Sequence, residues 1–258
     1  MQLKKRLIRY STQSISREDI SAVSKALNSD FLTEGPIIEK FENKLSKHVG
    51  AKNATTVCNA SAALIIACNA LKLSKNDYFW TTPISFASTA NCALFFNARV
   101  DFVDINNETF NIDVDKLENK LISAKKKNKL PKILCVVHLG GNPCDLIKIK
   151  ELSIKYKFRV IEDASHALGA KFKKIKIGNS KYSDIVIFSF HPVKMITTGE
   201  GGALLTNDNN LDRKIKSLRS HGIIKDTKYL NNKNLPKWYY EQKYLSSNYR
   251  MTSFQAAL

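Results

Sequence analysis

The first fifty residues carry two stretches in which apolar residues recur at helical spacing. In the first stretch, Ile20, Val23 and Leu27 lie three or four residues apart. Ser16 precedes them and Asp19 follows three residues later, the pattern of a capping box at a helix N-terminus. A second stretch follows a Gly-Pro pair and ends near residue 50. The sequence therefore predicts two amphipathic helices. The apolar face of the second helix consists of Ile38, Phe41, Leu45 and Val49.

Beyond residue 50 the pattern changes to short apolar runs that alternate with helical stretches. Many of these runs are apolar at every position, which is typical of strands covered on both faces. Alternating strands and helices predict an α/β domain with a mainly parallel sheet and helices on both of its faces. We expect strands at residues 54–58, 78–81, 99–105, 133–137, 158–161, 185–190 and 202–206. We expect helices at residues 62–71, from 87, from 115, at 146–156 and at 211–218.

Polar and aromatic residues follow the predicted strands at the points where they end. Ligands of parallel sheets collect at the carboxyl ends of the strands, so these residues should share one crevice. A strand, a tight turn and a helix N-terminus also form an anion site, although Asn and Ser cap many helices that bind nothing. The sequence thus predicts an anion cradle, an aromatic ring, an acid, a histidine and a lysine in one place. The residues are Asn59, Ala60, Ser61, Phe86, His138, Asp163, His166, Ser189 and Lys194.

Lys194 stands out because of its setting. It lies four residues beyond an apolar run that ends at Phe190, and a glycine-rich turn, 197–202, follows it. A lysine held just beyond a buried strand is partly desolvated, and desolvation favours the neutral amine that attacks carbonyl groups. The chain has 41 Lys and Arg residues, most of which we expect to solvate the surface. Its position between an apolar run and a glycine-rich turn separates Lys194 from those residues.

Composition limits the class of protein. With 43% hydrophobic residues over 258 positions, the chain can bury a substantial core without disulfides. Its five cysteines are scattered and form no Cys-x-x-Cys pair, which indicates reduced thiols in the cytoplasm and no zinc or other metal site. No apolar segment follows the basic N-terminus as in a secretory signal, and no run approaches the roughly 18 residues of a membrane span. We therefore expect a soluble cytoplasmic protein without membrane association.

The net charge of +18 raises the hypothesis of nucleic-acid binding. The positive charges are mostly lysines spread along the chain, with one concentration at residues 125–129. Arginine is scarce and aromatic residues do not interleave with the basic ones, so a lysine-rich solvated surface is the simpler interpretation. Such a surface attracts anionic small molecules in general. Nucleic-acid binding is kept as the less favoured alternative.

The residues at the strand ends fit pyridoxal 5′-phosphate. The aldehyde of this cofactor needs a lysine amine, and its phosphate needs N–H and hydroxyl donors. Its pyridine nitrogen needs a carboxylate that keeps it protonated, so that the ring can accept electrons from a substrate carbanion. A stacked aromatic side chain would fix the plane of the ring.

Five stretches of the sequence resemble the DegT/DnrJ/EryC1/StrS family of nucleotide-sugar aminotransferases. They extend from the first predicted helix to the last residues, so the resemblance covers the whole chain. It implies the large domain of a fold type I pyridoxal-phosphate-dependent transferase. The stretches are Leu-Thr-Glu-Gly-Pro at 32–36, Thr-Pro-Ile-Ser-Phe at 82–86, Glu-Asp-Ala-Ser-His-Ala-Leu-Gly at 162–169, residues 188–202, and Asn-Tyr-Arg-Met-Thr at 248–252.

The resemblance also implies roles for individual residues. Lys194 would link covalently to the cofactor and then move a proton between substrate C4 and cofactor C4′. Asp163 would hold the pyridine nitrogen, His166 would lie near the phenolic oxygen of the ring, and Phe86 would stack on it. The phosphate would be bound by Ala60, Ser61 and Ser189, together with Asn248 of the partner subunit. Candidate contacts to the sugar nucleotide are Tyr10, Thr33, Asn59 and Arg250.

The implied reaction is the transfer of an amino group from glutamate to C4 of a 4-keto-6-deoxy UDP-sugar. The implied assembly is a homodimer with shared active sites. Related enzymes that dehydrate such sugars have histidine at the lysine position, so Lys194 favours amination. The alternative is a homologue that binds the cofactor or dimerises without turnover.

The sequence departs from the family pattern in two places. Residues 58–62 read Cys-Asn-Ala-Ser-Ala where the family often has Asn-Ser-Ala-Thr-Ser, which changes the hydroxyl groups available to the phosphate. Residues 252–258 read as the start of a helix without a stop signal. We therefore expect an N-terminal helical segment at 1–50, a cofactor-binding α/β large domain at 51–240, and at 241–258 a connection to a C-terminal small domain that this sequence lacks. The expected explanations are a fragment, a split gene with a separate C-terminal fragment, or a truncated chain.

Overall fold

The computed structural model describes residues 10–231, 236 and 238–258, and the expectations for the other positions lie outside the described residues. Helix α1 (Arg17–Leu27) begins with the expected capping box, in which Ser16 Oγ accepts the Asp19 N–H at 3.2 Å and Asp19 Oδ2 accepts the Ser16 N–H at 2.8 Å. Helix α2 (Pro36–Val49) ends at Gly50, whose φ of 77° suits glycine. Both predicted helices are confirmed.

The centre of the fold is a seven-stranded sheet in the order β1-β9-β8-β5-β4-β2-β3. Strand β9 runs antiparallel to its two neighbours, and the other pairs are parallel. The predicted mainly parallel sheet is therefore correct. The sheet strands are β1 (Asn53–Val57), β2 (Tyr78–Thr81), β3 (Arg99–Phe102), β4 (Pro131–Val137), β5 (Arg159–Asp163), β8 (Ile185–Ser189) and β9 (Gly202–Thr206). Two small antiparallel two-stranded sheets pair β6 (Lys171–Phe172) with β7 (Ile175–Lys176), and β10 (Ile223–Ile224) with β11 (Glu241–Gln242).

Helices cover both faces of the sheet. Successive strand side chains point to opposite faces, so Ile133 and Cys135 of β4 join one apolar cluster while Leu134 and Val136 join the other. The first cluster includes residues of α3, α4 and α7, and the second includes residues of α2, α5 and α6. The remaining helices are α3 (Ala60–Ala70), α4 (Ser88–Leu94), α5 (Val114–Lys126), α6 (Leu146–Tyr156), α7 (Asn209–Arg219) and α8 (Ser253–Ala257).

Several boundaries differ from the predicted ones, and two of them matter for the site. The structure begins α3 at Ala60, two residues earlier than expected, because the Asn59 side chain accepts the Ala62 N–H at 2.8 Å and caps the helix there. Strand β5 extends to Asp163 because it keeps pairing with Val137 and Ile187 on both sides. Strand β3 is shorter than predicted and ends at Phe102. Within the described ranges, no helix is both long and apolar enough to cross a membrane.

Candidate active site

The residues predicted to form an anion cradle lie at the start of α3. The N–H groups of Ala60 and Ser61 precede the first hydrogen-bonded turn and point out of the helix end, where the helix dipole favours an anion. Gly202 of β9 lies directly against this end, since a β-carbon on residue 202 would be 2.7 Å from the Ala60 nitrogen. Ser189 is the β8 partner of Gly202 in the sheet. The structure therefore brings Ala60, Ser61 and Ser189 to one place.

The loop between β8 and β9 carries Lys194. Its base is closed by two backbone hydrogen bonds, from the Phe190 N–H to the Gly201 oxygen at 2.9 Å and from the Thr198 N–H to the Phe190 oxygen at 3.0 Å. Within the loop, the Lys194 N–H donates to the His191 oxygen at 2.9 Å. The lysine side chain is half-buried, as the sequence predicted. Burial lowers the pKa of Lys194, and the carboxylate of Asp163 opposes this effect.

Asp163 ends β5 with its carboxylate buried, and only 5% of the residue is exposed. Its Oδ2 accepts a hydrogen bond from Thr89 Oγ1 at 2.8 Å, and its Oδ1 accepts the Ser165 N–H at 3.2 Å. The two bonds fix the orientation of the carboxylate. A buried, hydrogen-bonded carboxylate of this kind can hold a protonated nitrogen.

His166 is the third ionisable side chain of the site. Its Nδ1 accepts the Gly140 N–H at 3.3 Å, so the hydrogen of the neutral ring is on Nε2. Burial lowers the pKa of His166, the positive charge of Lys194 lowers it further, and Asp163 acts in the opposite direction. The three ionisable side chains therefore act on one another electrostatically, and His166 is a neutral donor at physiological pH.

Phe86 lies just before α4, and its backbone oxygen accepts the Thr89 N–H at 3.0 Å. Its residue surface is 74% exposed, unusual for a phenylalanine in a folded chain. The same helical turn thus carries an exposed aromatic ring and the hydroxyl bound to Asp163.

His138 corrects one expectation. We expected it in the crevice, but it is 0% exposed. Its Nε2 lies 2.9 Å from Glu162 Oε2, and its Nδ1 accepts the Cys144 N–H at 3.1 Å. Because both ring nitrogens are engaged inside the protein, His138 holds β4, β5 and the following loop together and is not available to a ligand. The sequence at the strand ends could not reveal the burial of His138. Its partner Glu162 precedes Asp163 on the strand, so the two acidic side chains point to opposite faces of the sheet.

The candidate sugar-nucleotide residues fall into two groups. The Ser11 hydroxyl donates to the Val193 oxygen at 3.3 Å. This bond places the neighbouring Tyr10 beside the loop that carries Lys194 (the lysine loop), with the tyrosine side chain in solvent. Asn59 uses its side-chain oxygen as the cap of α3. The other two residues lie where stretch 32–36 meets stretch 248–252. Thr33 forms a β-bridge with Thr252, and Arg250 contacts Ser220 Oγ at 2.6 Å and Glu34 Oε1 at 3.8 Å.

Asn248 is exposed and pairs through its backbone with Ser220. Its side-chain oxygen accepts the Arg250 N–H at 3.2 Å. The next residue, Tyr249, accepts the Cys58 N–H at 2.8 Å through its backbone oxygen. Residues 248–250 therefore run close to the anion cradle of their own chain, and the Asn248 side chain faces solvent.

Sequence reasoning missed two residues of this site, Thr89 and Gly202. Thr89 lies 74 positions from the aspartate that it binds, and no local pattern marks it. Gly202 was part of the glycine-rich turn, but its contact with α3 depends on how β9 pairs with β1. No group of three or more His, Cys, Asp or Glu side chains in the described part of the chain is arranged to hold a metal ion.

Comparison with known proteins agrees with this geometry. Residues 13–258 match the DegT/DnrJ/EryC1/StrS aminotransferase family. A curated relative from Campylobacter jejuni strain 81-176, UDP-4-amino-4,6-dideoxy-N-acetyl-β-L-altrosamine transaminase, is 43% identical over 98% of this chain and 63% of its own length. The solved Helicobacter pylori PseC, an aminotransferase involved in the biosynthesis of pseudoaminic acid, has a TM-score of 0.84 at 32% identity, covering 96% of this chain and 63% of PseC. Spr1654 from Streptococcus pneumoniae, solved in its PMP form, has a TM-score of 0.85 at 25% identity, covering 97% of this chain and 66% of that one.

These proteins share the architecture described above, which confirms the predicted α/β domain of fold type I. The chain spans about 63% of the length of the curated relative. The chain belongs to the DegT/DnrJ/EryC1/StrS aminotransferase family.

Proposed function

We propose that the chain binds pyridoxal 5′-phosphate through Lys194 and catalyses amino transfer from glutamate to C4 of a 4-keto-6-deoxy UDP-sugar in the cytoplasm. The proposed product is UDP-4-amino-4,6-dideoxy-N-acetyl-β-L-altrosamine, a step of pseudaminic acid biosynthesis, and the names of the similar proteins support it. The observation that carries the proposal is the electrostatic interaction of half-buried Lys194, whose pKa burial lowers, with Asp163 and His166.

The residues present fit this cofactor at both ends. At one end, the Ala60 and Ser61 N–H groups and the Ser189 hydroxyl suit a phosphate dianion, and Gly202 leaves the space that lets the strand and helix meet there. At the other end, buried Asp163 suits a pyridinium nitrogen. When bound, the cofactor supplies an electron sink for the substrate carbon that carries the amino group.

Lys194 would hold the cofactor and move the proton in this proposal. Its lowered pKa increases the fraction of neutral amine, the form that would bond to the cofactor aldehyde with loss of water. With its amine free again, Lys194 would carry the proton between substrate C4 and cofactor C4′. The closed base of the loop limits how far this amine can move.

The neighbouring side chains would orient the ring. His166 would donate from Nε2 to the phenolic oxygen, because its Nδ1 accepts the Gly140 N–H. The exposed ring of Phe86 would stack on the cofactor ring. Asp163 would hold the protonated ring nitrogen, which makes the ring a stronger electron acceptor.

The sugar nucleotide lies between the lysine loop and the surface where the two stretches 32–36 and 248–252 meet. Tyr10, Thr33, Asn59 and Arg250 are the proposed contacts. Arg250 is the strongest candidate for an anionic group, since its Glu34 contact at 3.8 Å is long and can be exchanged for a diphosphate.

The proposed assembly is a homodimer in which each site receives Asn248 of the partner subunit. Exposed apolar residues support a protein interface, including Leu94 and Phe95 at the end of α4 and Met195 in the lysine loop. Mixing Lys194→Ala chains with Asn248→Ala chains tests the sharing. Hybrid dimers regain one intact site and recover cofactor binding if Asn248 acts across the interface, whereas they stay defective if it acts within its own chain.

Borohydride reduction tests the covalent link. The chain is incubated with pyridoxal 5′-phosphate, reduced, digested and mapped by mass spectrometry, and the mass increase is expected on the peptide that contains Lys194. Lys214→Ala is the control, because Lys214 is another half-buried lysine whose pKa is lowered by burial. A label elsewhere, or none, overturns the proposal. Formation of 2-oxoglutarate from glutamate and the UDP-keto-sugar then tests turnover.

A further inference from the structure

We propose that Thr89 is a positioning residue that holds the Asp163 carboxylate in the orientation that the pyridine nitrogen of the cofactor requires. This inference rests on the proposed function and adds a residue that neither the sequence pattern nor the family resemblance indicated.

The geometry is that of a clamp on both carboxylate oxygens. Thr89 Oγ1 donates to Asp163 Oδ2 at 2.8 Å, and the Ser165 N–H donates to Oδ1 at 3.2 Å. The two donors come from different parts of the chain, the start of α4 and the loop after β5. Each carboxylate oxygen has two acceptor positions, so the clamp leaves room for a further donor. The two hydrogen bonds therefore fix the plane of the carboxylate and leave acceptor positions free on its oxygens.

Burial makes the clamp necessary. Thr89 is 0% exposed and Asp163 is 5% exposed, so water contributes little to solvating the carboxylate charge. A buried polar group needs hydrogen-bond partners inside the protein, and the two donors provide them. A carboxylate turned away from the pyridine nitrogen would hold the proton of that nitrogen less firmly. Thr89 thus supports the protonated ring by keeping the aspartate in line with it.

The same threonine connects the acid to the aromatic ring. The Thr89 N–H donates to the Phe86 oxygen at 3.0 Å, so the two residues share one turn. The hydroxyl bond to Asp163 anchors that turn on the sheet. Phe86 is proposed to contact the face of the cofactor ring and Asp163 its nitrogen. Because Thr89 is bonded to both residues, it sets the distance between them.

The test compares Thr89→Val, which replaces the hydroxyl by a methyl group of similar size, with Thr89→Ser, which keeps the donor. The matched control is Thr81→Val, because Thr81 is equally buried and its hydroxyl has no hydrogen-bond partner in the described structure. Cofactor affinity is measured from the visible absorption of the lysine-bound cofactor, and the pH midpoint of that absorption is measured as well. Thermal unfolding of each variant without cofactor reports on structural damage alone.

We expect Thr89→Val to weaken cofactor binding by about tenfold, the loss typical of a hydrogen bond to a charged group. We also expect the pH midpoint to rise, because a less protonated ring withdraws less charge from the lysine nitrogen. Thr89→Ser should resemble the unmodified chain in both measurements, and Thr81→Val should bind the cofactor normally. If Thr89→Val does not fold, Thr89→Ala removes the hydroxyl without adding volume and takes its place.

Normal cofactor affinity and an unchanged pH midpoint in Thr89→Val overturn the inference while the proposed function stands. An equal loss in Thr81→Val also overturns it, since the effect would then be general to this region. Absence of visible absorption in the unmodified chain overturns the proposed function itself, and the inference with it.

Discussion

Gly202 and Ala60 meet backbone to backbone: a β-carbon on residue 202 would lie 2.7 Å from the Ala60 nitrogen. This contact joins the start of β9 to the start of α3. It also sets the position of Ser189, which pairs with Gly202 in the sheet. The shape of the cradle therefore depends on the absence of a side chain at one position.

Gly202→Ala should move the start of α3 away from the sheet. We expect a loss of about 1–3 kcal/mol in the free energy of unfolding, because a buried atom is forced into occupied space. Cofactor affinity should fall as well, since the N–H groups of Ala60 and Ser61 shift. Denaturant unfolding and cofactor titration measure the two effects. Gly169→Ala is the control, since its φ of 91° adds backbone strain but a β-carbon there meets no atom within 4 Å; the control should lose stability without losing cofactor affinity.

Lys194→Met should raise the pKa of His166. Burial lowers that pKa first, and the positive charge of Lys194 lowers it further, so removing the charge returns part of the shift. NMR titration of the imidazole C–H signals without cofactor measures the change. Lys214→Met serves as the control, because Lys214 binds the backbone oxygens at the far end of α3 and should leave His166 unaffected. An unchanged His166 titration in Lys194→Met would contradict the electrostatic interaction between the two residues.

The lowered pKa of His166 also has a defined effect on stability. The unfolded chain takes up a proton on this histidine at higher pH than the folded chain does. The contribution of neutral His166 is therefore fully present above its ordinary pKa near 6.5, and it is lost as the pH falls towards the lower folded value. Comparing unfolding of the unmodified chain and His166→Gln across this range should show a smaller pH dependence in the variant. An equal dependence would show that other groups account for it.

Glu42→Ala should destabilise the fold by about 3–5 kcal/mol, the usual effect of removing one partner of a buried ion pair. Glu42 Oε1 accepts hydrogen bonds from the Thr56 N–H at 2.7 Å, the Thr56 hydroxyl at 2.9 Å and Arg219 Nη1 at 2.6 Å. The bonds join α2, β1 and α7 next to the cradle. Chemical denaturation measures the loss. Glu39→Ala, an exposed position on the same helix, should change stability by less than about 0.5 kcal/mol.

Cys58 should be the first of the five cysteines to react with a thiol reagent under native conditions. It is half-buried, whereas Cys68, Cys92, Cys135 and Cys144 are buried. Burial raises the pKa of Cys58, so the reaction should be slow and should accelerate as the pH rises. Because Cys58 adjoins the Asn59 cap of the cradle, bound pyridoxal 5′-phosphate should slow the labelling. Mass spectrometry of labelled peptides measures this, with Cys58→Ser as the control. Faster labelling of a buried cysteine would contradict the packing described here.

The sequence predicted the elements well where local chemistry decides them. The capping box of Ser16 and Asp19 and the boundaries of β2, β9 and α6 were correct, because a cap or an abrupt change from apolar to polar residues marks each end. The mainly parallel sheet followed from the alternation of strands and helices. Boundaries failed where pairing partners decide them, as at Asp163, whose neighbouring strands keep it in β5.

The sequence by itself also determined which residue types lie at the carboxyl edge of the sheet, because parallel strands all end there. Only the tertiary structure decided which of them face the crevice. It buried His138 against Glu162, set Thr89 on Asp163 and pressed Gly202 against Ala60. Each of these contacts joins residues that are far apart in the chain. Strand order, register and side-chain direction determine them, and none of the three can be read from a local stretch of sequence.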